Sequence, residues 1–264
     1  MDIINFENIK SNLIYLKTWL KLIIYMTTNA IKRIMQKDMK SIQDQQLNDM
    51  GIYIEFNEGN MLEAVAMIIG PEGSVYKKGV LFFNIVFPNN YPYSPPNVTY
   101  VSRGSIRIHP NLYTGGAKDN YLGKVCLSIL GTWSGPQWTT IMDISSILIS
   151  IQSLLDANPL DHEPGFTGKK SDNHTKYKEC IAYENFRTLI IKNIFDIPKP
   201  FQCFQDIIIK HYKDNRDYIM ADLNTHIYES GYEDIEICIP IYRINLRIVF
   251  SELKKKLQRR ETKI

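Results

Sequence analysis

The run 123–138, GKVCLSILGTWSGPQW, sets a cysteine, Cys126, in a short apolar stretch that opens into a glycine-rich loop. Val125, Leu127, Ile129 and Leu130 would bury against a core and hold the thiol on an ordered segment at the edge of that loop. Fifteen residues upstream lies Asn111, in the tripeptide His109-Pro110-Asn111. A thiol needs only partial ionisation to be a strong nucleophile at neutral pH, and a carboxamide beside it can donate hydrogen bonds to an oxyanion or hold a loop closed. The pairing of Cys126 with Asn111 points to acyl transfer on a thiol.

The rest of the chain bounds that reading. Its 264 residues hold one domain of about 150 residues and a smaller appended region. An apolar share of 44% with 22% charged residues is ordinary for a globular protein. The four cysteines, Cys126, Cys180, Cys203 and Cys238, form no CxxC pair and no metal spacing with the five histidines, so they read as reduced thiols of a cytoplasmic or nuclear protein. Much of the net charge of +3 comes from the last eleven residues, KKKLQRRETKI. That tail reads as a solvated basic helix end, with no nucleic-acid surface implied. Near the start, Leu13 to Tyr25 is apolar but interrupted by Lys17 and Lys21, which makes it too short and too charged for a span of about 20 apolar residues. It is expected to be an amphipathic helix docked on the domain.

The hydrophobic period then changes in a consistent order. Ile31, Ile34, Met35, Met39 and Ile42 fall at helical spacing, with Lys32, Arg33, Lys37 and Lys40 mostly opposite. Ile52–Phe56, Met61–Ile69, Val80–Phe87 and Asn97–Val101 read as four strands of an antiparallel meander, separated by Gly, Asn and Pro signals. The prolines 88, 92, 95 and 96 stiffen the loop after the third strand, where one cis bond is plausible. Thr140-x-x-Asp143 is a capping-box pattern before a helix carrying Ile144, Ile147, Leu148, Ile151, Leu154 and Leu155, which Asn158-Pro159 ends. Three further helical patterns lie near 174–193, 202–229 and 240–258, giving an α+β architecture.

The stretches 70–100, HPNLY (109–113), GKVCLSIL (123–130), WTT (138–140) and 144–166, ending NPLDHEPGF, resemble in order the catalytic domain of ubiquitin-conjugating enzymes. The two tryptophans after the cysteine are most similar to the large Z-type members of that family. KYKEC and ENFR, between 176 and 187, carry a weaker likeness onward. Several ordered motifs over this length make a specific signal. The resemblance implies the UBC fold, a four-stranded antiparallel meander sheet flanked by helices with a helical C-terminal extension. It also implies a division into an N-terminal segment 1–26, a conjugating domain 27–193 and an extension 194–264 that helps choose modifier or activating enzyme; the apolar positions of that extension, including Ile207, Ile208, Ile241, Ile244 and Ile248, are expected to pack on the conjugating domain or on one another.

The same resemblance assigns roles to residues. Cys126 would carry the C-terminal acyl group of ubiquitin or a ubiquitin-like modifier, received from an activating enzyme and passed to a substrate lysine, with no cofactor and no metal. Asn111 would support the loop and stabilise the aminolysis oxyanion, with His109 and Pro110 as structural members of its turn; the family places this asparagine nearer its cysteine, and TGGAKDNY (114–121) lengthens the gap here. Asp161 occupies the acidic position after the helix, with His162 and Glu163 as near alternatives. Tyr93, Trp138 and Thr139 would face RING or HECT-type ligases, Trp133 would shape the cleft wall, and Lys32, Arg33 and Lys37 would meet the activating enzyme. Two other classes stay open at this stage. A cysteine hydrolase would orient an imidazole against the thiol, whereas the nearby histidine belongs to the His-Pro-Asn turn; a non-catalytic module of this fold would lack the cysteine.

Overall fold

The computed structural model describes residues 29–116, 118 and 121–262, so the segment 1–26 and its expected amphipathic helix lie outside the described residues. The first helix, α1 (29–44), begins at Asn29–Arg33, widens into a π turn at Ile34–Asp38 and recovers at Met39–Asp44. Its buried stripe is Ala30, Ile34 and Asp38, while Met35 and Met39, expected on that face, are 58% and 39% exposed. The wide turn shifts the helical phase, and a carboxylate takes the inward position. Asp38 is satisfied there: its Oδ1 accepts from Tyr91 Oη at 2.6 Å and the Ile144 N–H at 2.9 Å, and Arg33 pairs with Oδ2 at 2.8 Å. Burial still pushes its pKa up.

The expected meander is present as β1 (Ile52–Asn57), β2 (Asn60–Ile69), β3 (Val80–Val86) and β4 (Asn97–Val101), and Leu122–Lys124 (β5) adds a fifth antiparallel strand in the order β1-β2-β3-β4-β5. Three residues centred on a glycine carry too little alternation to register as a strand in the sequence. Phe82 and Phe83 on β3 point to opposite faces, as strand neighbours must, yet both are fully buried. Phe83 lies against its cross-strand partner Tyr100, ring centroids 5.7 Å apart, and Phe82 is covered by Phe201 at 4.5 Å. The Tyr91-Pro92 peptide bond in the following loop is cis.

Helix α2 (Ile144–Leu154) buries Ile144, Ile147, Leu148 and Ile151. Its cap is Asp143 and not Thr140: Asp143 adjoins the first turn, and its side chain accepts from the Ser146 N–H at 3.0 Å. A 3-10 turn at Pro159–His162 follows.

Helix α3 (172–195) is assembled from Asp172–Glu184, a π stretch Asn185–Ile190 and Ile191–Phe195. After a 3-10 turn at Lys199–Phe204, which supplies Phe201, come α4 (Gln205–Tyr228), a hairpin of β6 (Ile235–Ile239) and β7 (Ile244–Ile248), and α5 (Phe250–Glu261). The helical pattern read over 240–258 is thus a strand followed by a helix. Ile244, Leu246 and Ile248 repeat every second residue while Ile241, Ile244 and Ile248 fall at helical spacing, and pairing with Ile235–Ile239 settles 244–248 as the strand. This last part of the chain packs on the residues before it: the Phe250 ring meets those of Tyr183 and Phe186 edge-on, centroids 5.3 and 6.1 Å apart, and Lys77 pairs with Asp222 at 2.6 Å. Phe250 is fully buried, stacked on His226 with centroids 4.7 Å apart, and Glu233 caps α5 by accepting from the Phe250 and Ser251 N–H groups at 2.8 and 3.1 Å. Each fully buried aliphatic or aromatic side chain of this kind contributes about 1.5–3 kcal/mol. In the basic tail, Leu253 and Leu257 face inward and most of the charges outward, an amphipathic helix end. Among the described residues no helix is long and apolar enough to cross a membrane.

Candidate active site

The chain enters the His-Pro-Asn turn along a segment gripped by two tyrosines, Tyr177 Oη donating to the Arg107 carbonyl at 2.8 Å and Tyr76 Oη to the Ile108 carbonyl at 2.6 Å. His109 is fully buried, and its Nδ1 accepts the Asn111 N–H at 3.0 Å. A nitrogen that accepts carries no proton, so this imidazole is neutral. Burial holds its pKa well below the usual histidine range, and the His162 ring, 4.8 Å away between centroids, and Arg107 push the same way. Pro110 is buried beside it, its carbonyl accepting from Arg107 Nη2.

Asn111 and Cys126 are joined directly. The Cys126 N–H donates to the Asn111 carbonyl at 2.9 Å, and Asn111 Nδ2 donates to the Cys126 carbonyl at 2.8 Å. The long gap between them therefore does not part them. Tyr113 N–H donates to the Lys124 carbonyl and Tyr121 N–H to the Gly116 carbonyl, each at 3.0 Å, so the added residues leave as a hairpin with a closed base. Gly123 permits that closure: a Cβ there would fall 1.6 Å from the Tyr113 carbonyl oxygen. On the far side, Thr132 Oγ1 accepts from the Leu127 N–H at 2.9 Å and donates to the Val125 carbonyl at 2.7 Å. The peptide groups on both sides of the thiol are thus hydrogen-bonded, and Cys126 sits on a fixed backbone with the Asn111 side-chain amide bonded to its carbonyl. Cys126 is 2% exposed, at the start of the 3-10 turn Ser128–Leu130 region. At Cys180, burial and the nearby Glu184 push the thiol up to about 12, which keeps it protonated and unreactive.

Asp161 lies on the Pro159–His162 turn, whose His162 ring adjoins His109. Its side chain is 37% exposed, with Oδ1 3.3 Å from His174 Nε2, and its carbonyl accepts from Thr167 Oγ1 at 2.7 Å. His162 is bonded to Asp156 at 2.8 Å, and Glu163 accepts from Tyr242 Oη at 2.6 Å. Tyr93 is 75% exposed and Trp133 39% exposed. Trp138 Nε1 donates to the Pro92 carbonyl at 2.7 Å, which ties the loop of Tyr93 to the loop of Trp138 and the exposed Thr139. On α1, Lys32 is exposed, whereas Arg33 is spent on Asp38 and the Met142 carbonyl, 2.7 Å away, and Lys37 donates to the Ile141 carbonyl at 2.6 Å. The sequence reading missed Thr132, Asp38 and Arg107. Thr132 follows a glycine just after the cysteine motif, a usual place for a hydroxyl that bonds local backbone, and was the most findable.

The sequence profile described as ubiquitin-conjugating enzyme matches residues 34–185, more than half of the chain and a range that holds Asn111, Cys126 and Asp161. The chain belongs to the ubiquitin-conjugating enzyme family. It is 40% identical over 143 residues to the ubiquitin-conjugating enzyme E2 Z of Danio rerio and to that of Homo sapiens, an overlap of 53% of this chain and of 42% and 38% of those proteins. The chain thus spans less than half the length of these curated relatives. A solved E2 domain of a Toxoplasma gondii ubiquitin conjugating enzyme is 27% identical, with a TM-score of 0.43, covering 57% of this chain and 94% of that chain.

Proposed function

We propose that the protein is a ubiquitin-conjugating enzyme whose acyl carrier is Cys126. The Cys126 thiolate attacks the thioester carbonyl linking ubiquitin, or a ubiquitin-like modifier, to a cysteine of the activating enzyme, and that cysteine leaves as thiolate. A substrate lysine amine then attacks the new thioester, an amide bond forms, and the Cys126 thiolate departs. The observation that carries this reading is the two-way bond between Asn111 and Cys126. It places an amide donor beside the thiol, and Asn111 Nδ2 holds a second hydrogen for the tetrahedral oxyanion.

A lysine amine, with an ordinary pKa near 10.4, must lose a proton before it attacks. In this reading Asp161, on the turn beside His109, orients and deprotonates it. His109 is no base, since its Nδ1 is occupied by the Asn111 N–H; that argues against a cysteine hydrolase. His109 and Pro110 shape the turn, and Trp133 borders the cleft. Tyr93, Trp138 and Thr139 form one ligase-facing surface for RING or HECT-type ligases, linked through the Trp138–Pro92 bond. Lys32 and Lys37, beside the exposed Met35, give α1 a mixed basic and apolar face for the activating enzyme, with Arg33 holding that helix in place. The division into a conjugating domain over 27–193 and an extension over 194–264, action on protein substrates, and a cytoplasmic or nuclear site of action belong to the same reading.

The test is incubation with ATP, activating enzymes and a panel of modifiers, followed by non-reducing gels. The protein should form a thiol-sensitive adduct, Cys126→Ser a thiol-resistant oxyester, and Cys126→Ala neither. Normal charging of the alanine variant would sink the assignment.

A further inference from the structure

Tyr242 lies in the 3-10 turn Pro240–Tyr242 that joins β6 to β7, at the tip of the hairpin in the C-terminal extension. That tip sits beside the site. Tyr242 Oη donates to Glu163 Oε2 at 2.6 Å, and its ring lies 5.0 Å from that of Tyr177, whose hydroxyl holds the Arg107 carbonyl at 2.8 Å. The Arg107 guanidinium carbon is 3.6 Å from the ring centroid of Tyr113 and 5.3 Å from that of Tyr242. One planar cation therefore has Tyr113, next to the His-Pro-Asn turn, and Tyr242, from the extension, for neighbours, while its Nη2 donates to the Pro110 carbonyl. Its Nε is buried without an acceptor, a cost that the stacking and the Pro110 bond must offset.

These contacts connect three pieces of chain distant in sequence: the turn carrying Asn111, the segment that follows Asp161 through Glu163, and the extension. We propose that Arg107 and Tyr242 form a clamp through which the C-terminal hairpin sets the position of the Asn111 turn against the Asp161 turn, making both positioning residues for aminolysis. The inference rests on Cys126 being the acyl carrier. It gives the hairpin a part in the second half-reaction, separate from any choice of modifier. A misplacement of about 1 Å at a reacting centre is enough to lower a rate by up to about 10²-fold, so a side chain that touches neither thiol nor amine can still control the step.

The experiment follows single-turnover discharge of the Cys126 thioester to free lysine over a range of lysine concentrations, with charging measured on the same preparations. Tyr242→Leu and Arg107→Lys should each lower the limiting discharge rate about 10-fold with the lysine dependence little changed. The double variant should be no slower than the slower single variant, because the two residues act as one unit. Tyr242→Phe, which keeps the ring beside Arg107 and loses the bond to Glu163, should slow discharge as well, by less than Tyr242→Leu. Discharge of Tyr242→Leu at the unsubstituted rate, losses that multiply in the double variant, or a fall in charging equal to the fall in discharge would each overturn the clamp. Absence of any Cys126 adduct in the unsubstituted protein would instead overturn the acyl-carrier reading, and the clamp with it.

Discussion

Acid should weaken this fold through His109 before it reaches the carboxylates. In the unfolded chain the imidazole takes up a proton near its ordinary value of 6.5; in the folded chain Nδ1 is occupied by the Asn111 N–H and the whole ring is buried. With the folded pKa depressed, the unfolded state is the one that binds the proton, so stability is greatest above the unfolded value and is lost as pH falls below it. If the folded ring stays neutral throughout, the loss follows RT ln(1 + 10^(6.5−pH)), which is about 1.4 kcal/mol at pH 5.5 and under about 0.1 at pH 7.5. His211, half-buried and also depressed, adds in the same direction, while Asp38 and Glu184, whose folded values are raised, act oppositely nearer the carboxylate range. Urea unfolding of the unsubstituted protein and of His109→Gln at steps between pH 7.5 and 5.5 isolates the effect. The unsubstituted protein should lose about 1.4 kcal/mol more than the variant across that window. Parallel profiles would mean that the ring protonates in place, and would refute the argument from the Asn111 bond.

Asn111→Ala leaves the Cys126 carbonyl without its donor, so it should cost about 1–3 kcal/mol in denaturant unfolding and slow thioester discharge about 10²-fold; discharge at the unsubstituted rate would remove Asn111 from the chemistry. Asp161→Ala should slow discharge chiefly at neutral pH and recover at higher pH, where more lysine is free amine, and a defect independent of pH would mean damage to the turn that Thr167 holds. Gly123→Ala drives a methyl into the Tyr113 carbonyl and should destabilise by about 1–3 kcal/mol, read as a lowered urea midpoint; an unshifted midpoint would show that the hairpin base can open without cost.

Long periodic segments and the motif run were legible in the sequence. The β1–β4 meander and α2 have strong patterns, and the cysteine with its His-Pro-Asn turn announces itself by residue type. What escaped detection depended on contacts across the chain. Asp38 faces inward only because Tyr91 and the Ile144 N–H await it, and no local rule places a carboxylate on a buried stripe. Residues 240–248 satisfied two periods at once, and only pairing with Ile235–Ile239 decides for the strand. Arg107 sits in a stretch with no motif. Its partners come from 110, 113 and 242, and nothing short of the folded chain puts them around one guanidinium.

The closed base of the hairpin between Asn111 and Cys126 makes the length of that segment a free variable. Because the Tyr113–Lys124 and Gly116–Tyr121 bonds fix the two ends, residues added beyond them change neither the span nor the angle between carboxamide and thiol. Doubling such a loop costs only about 0.6 kcal/mol more in closure entropy. The segment between Asn111 and Cys126 can therefore be lengthened, trimmed or grafted while that pair stays put, so the pair and its surroundings are free to evolve at different speeds.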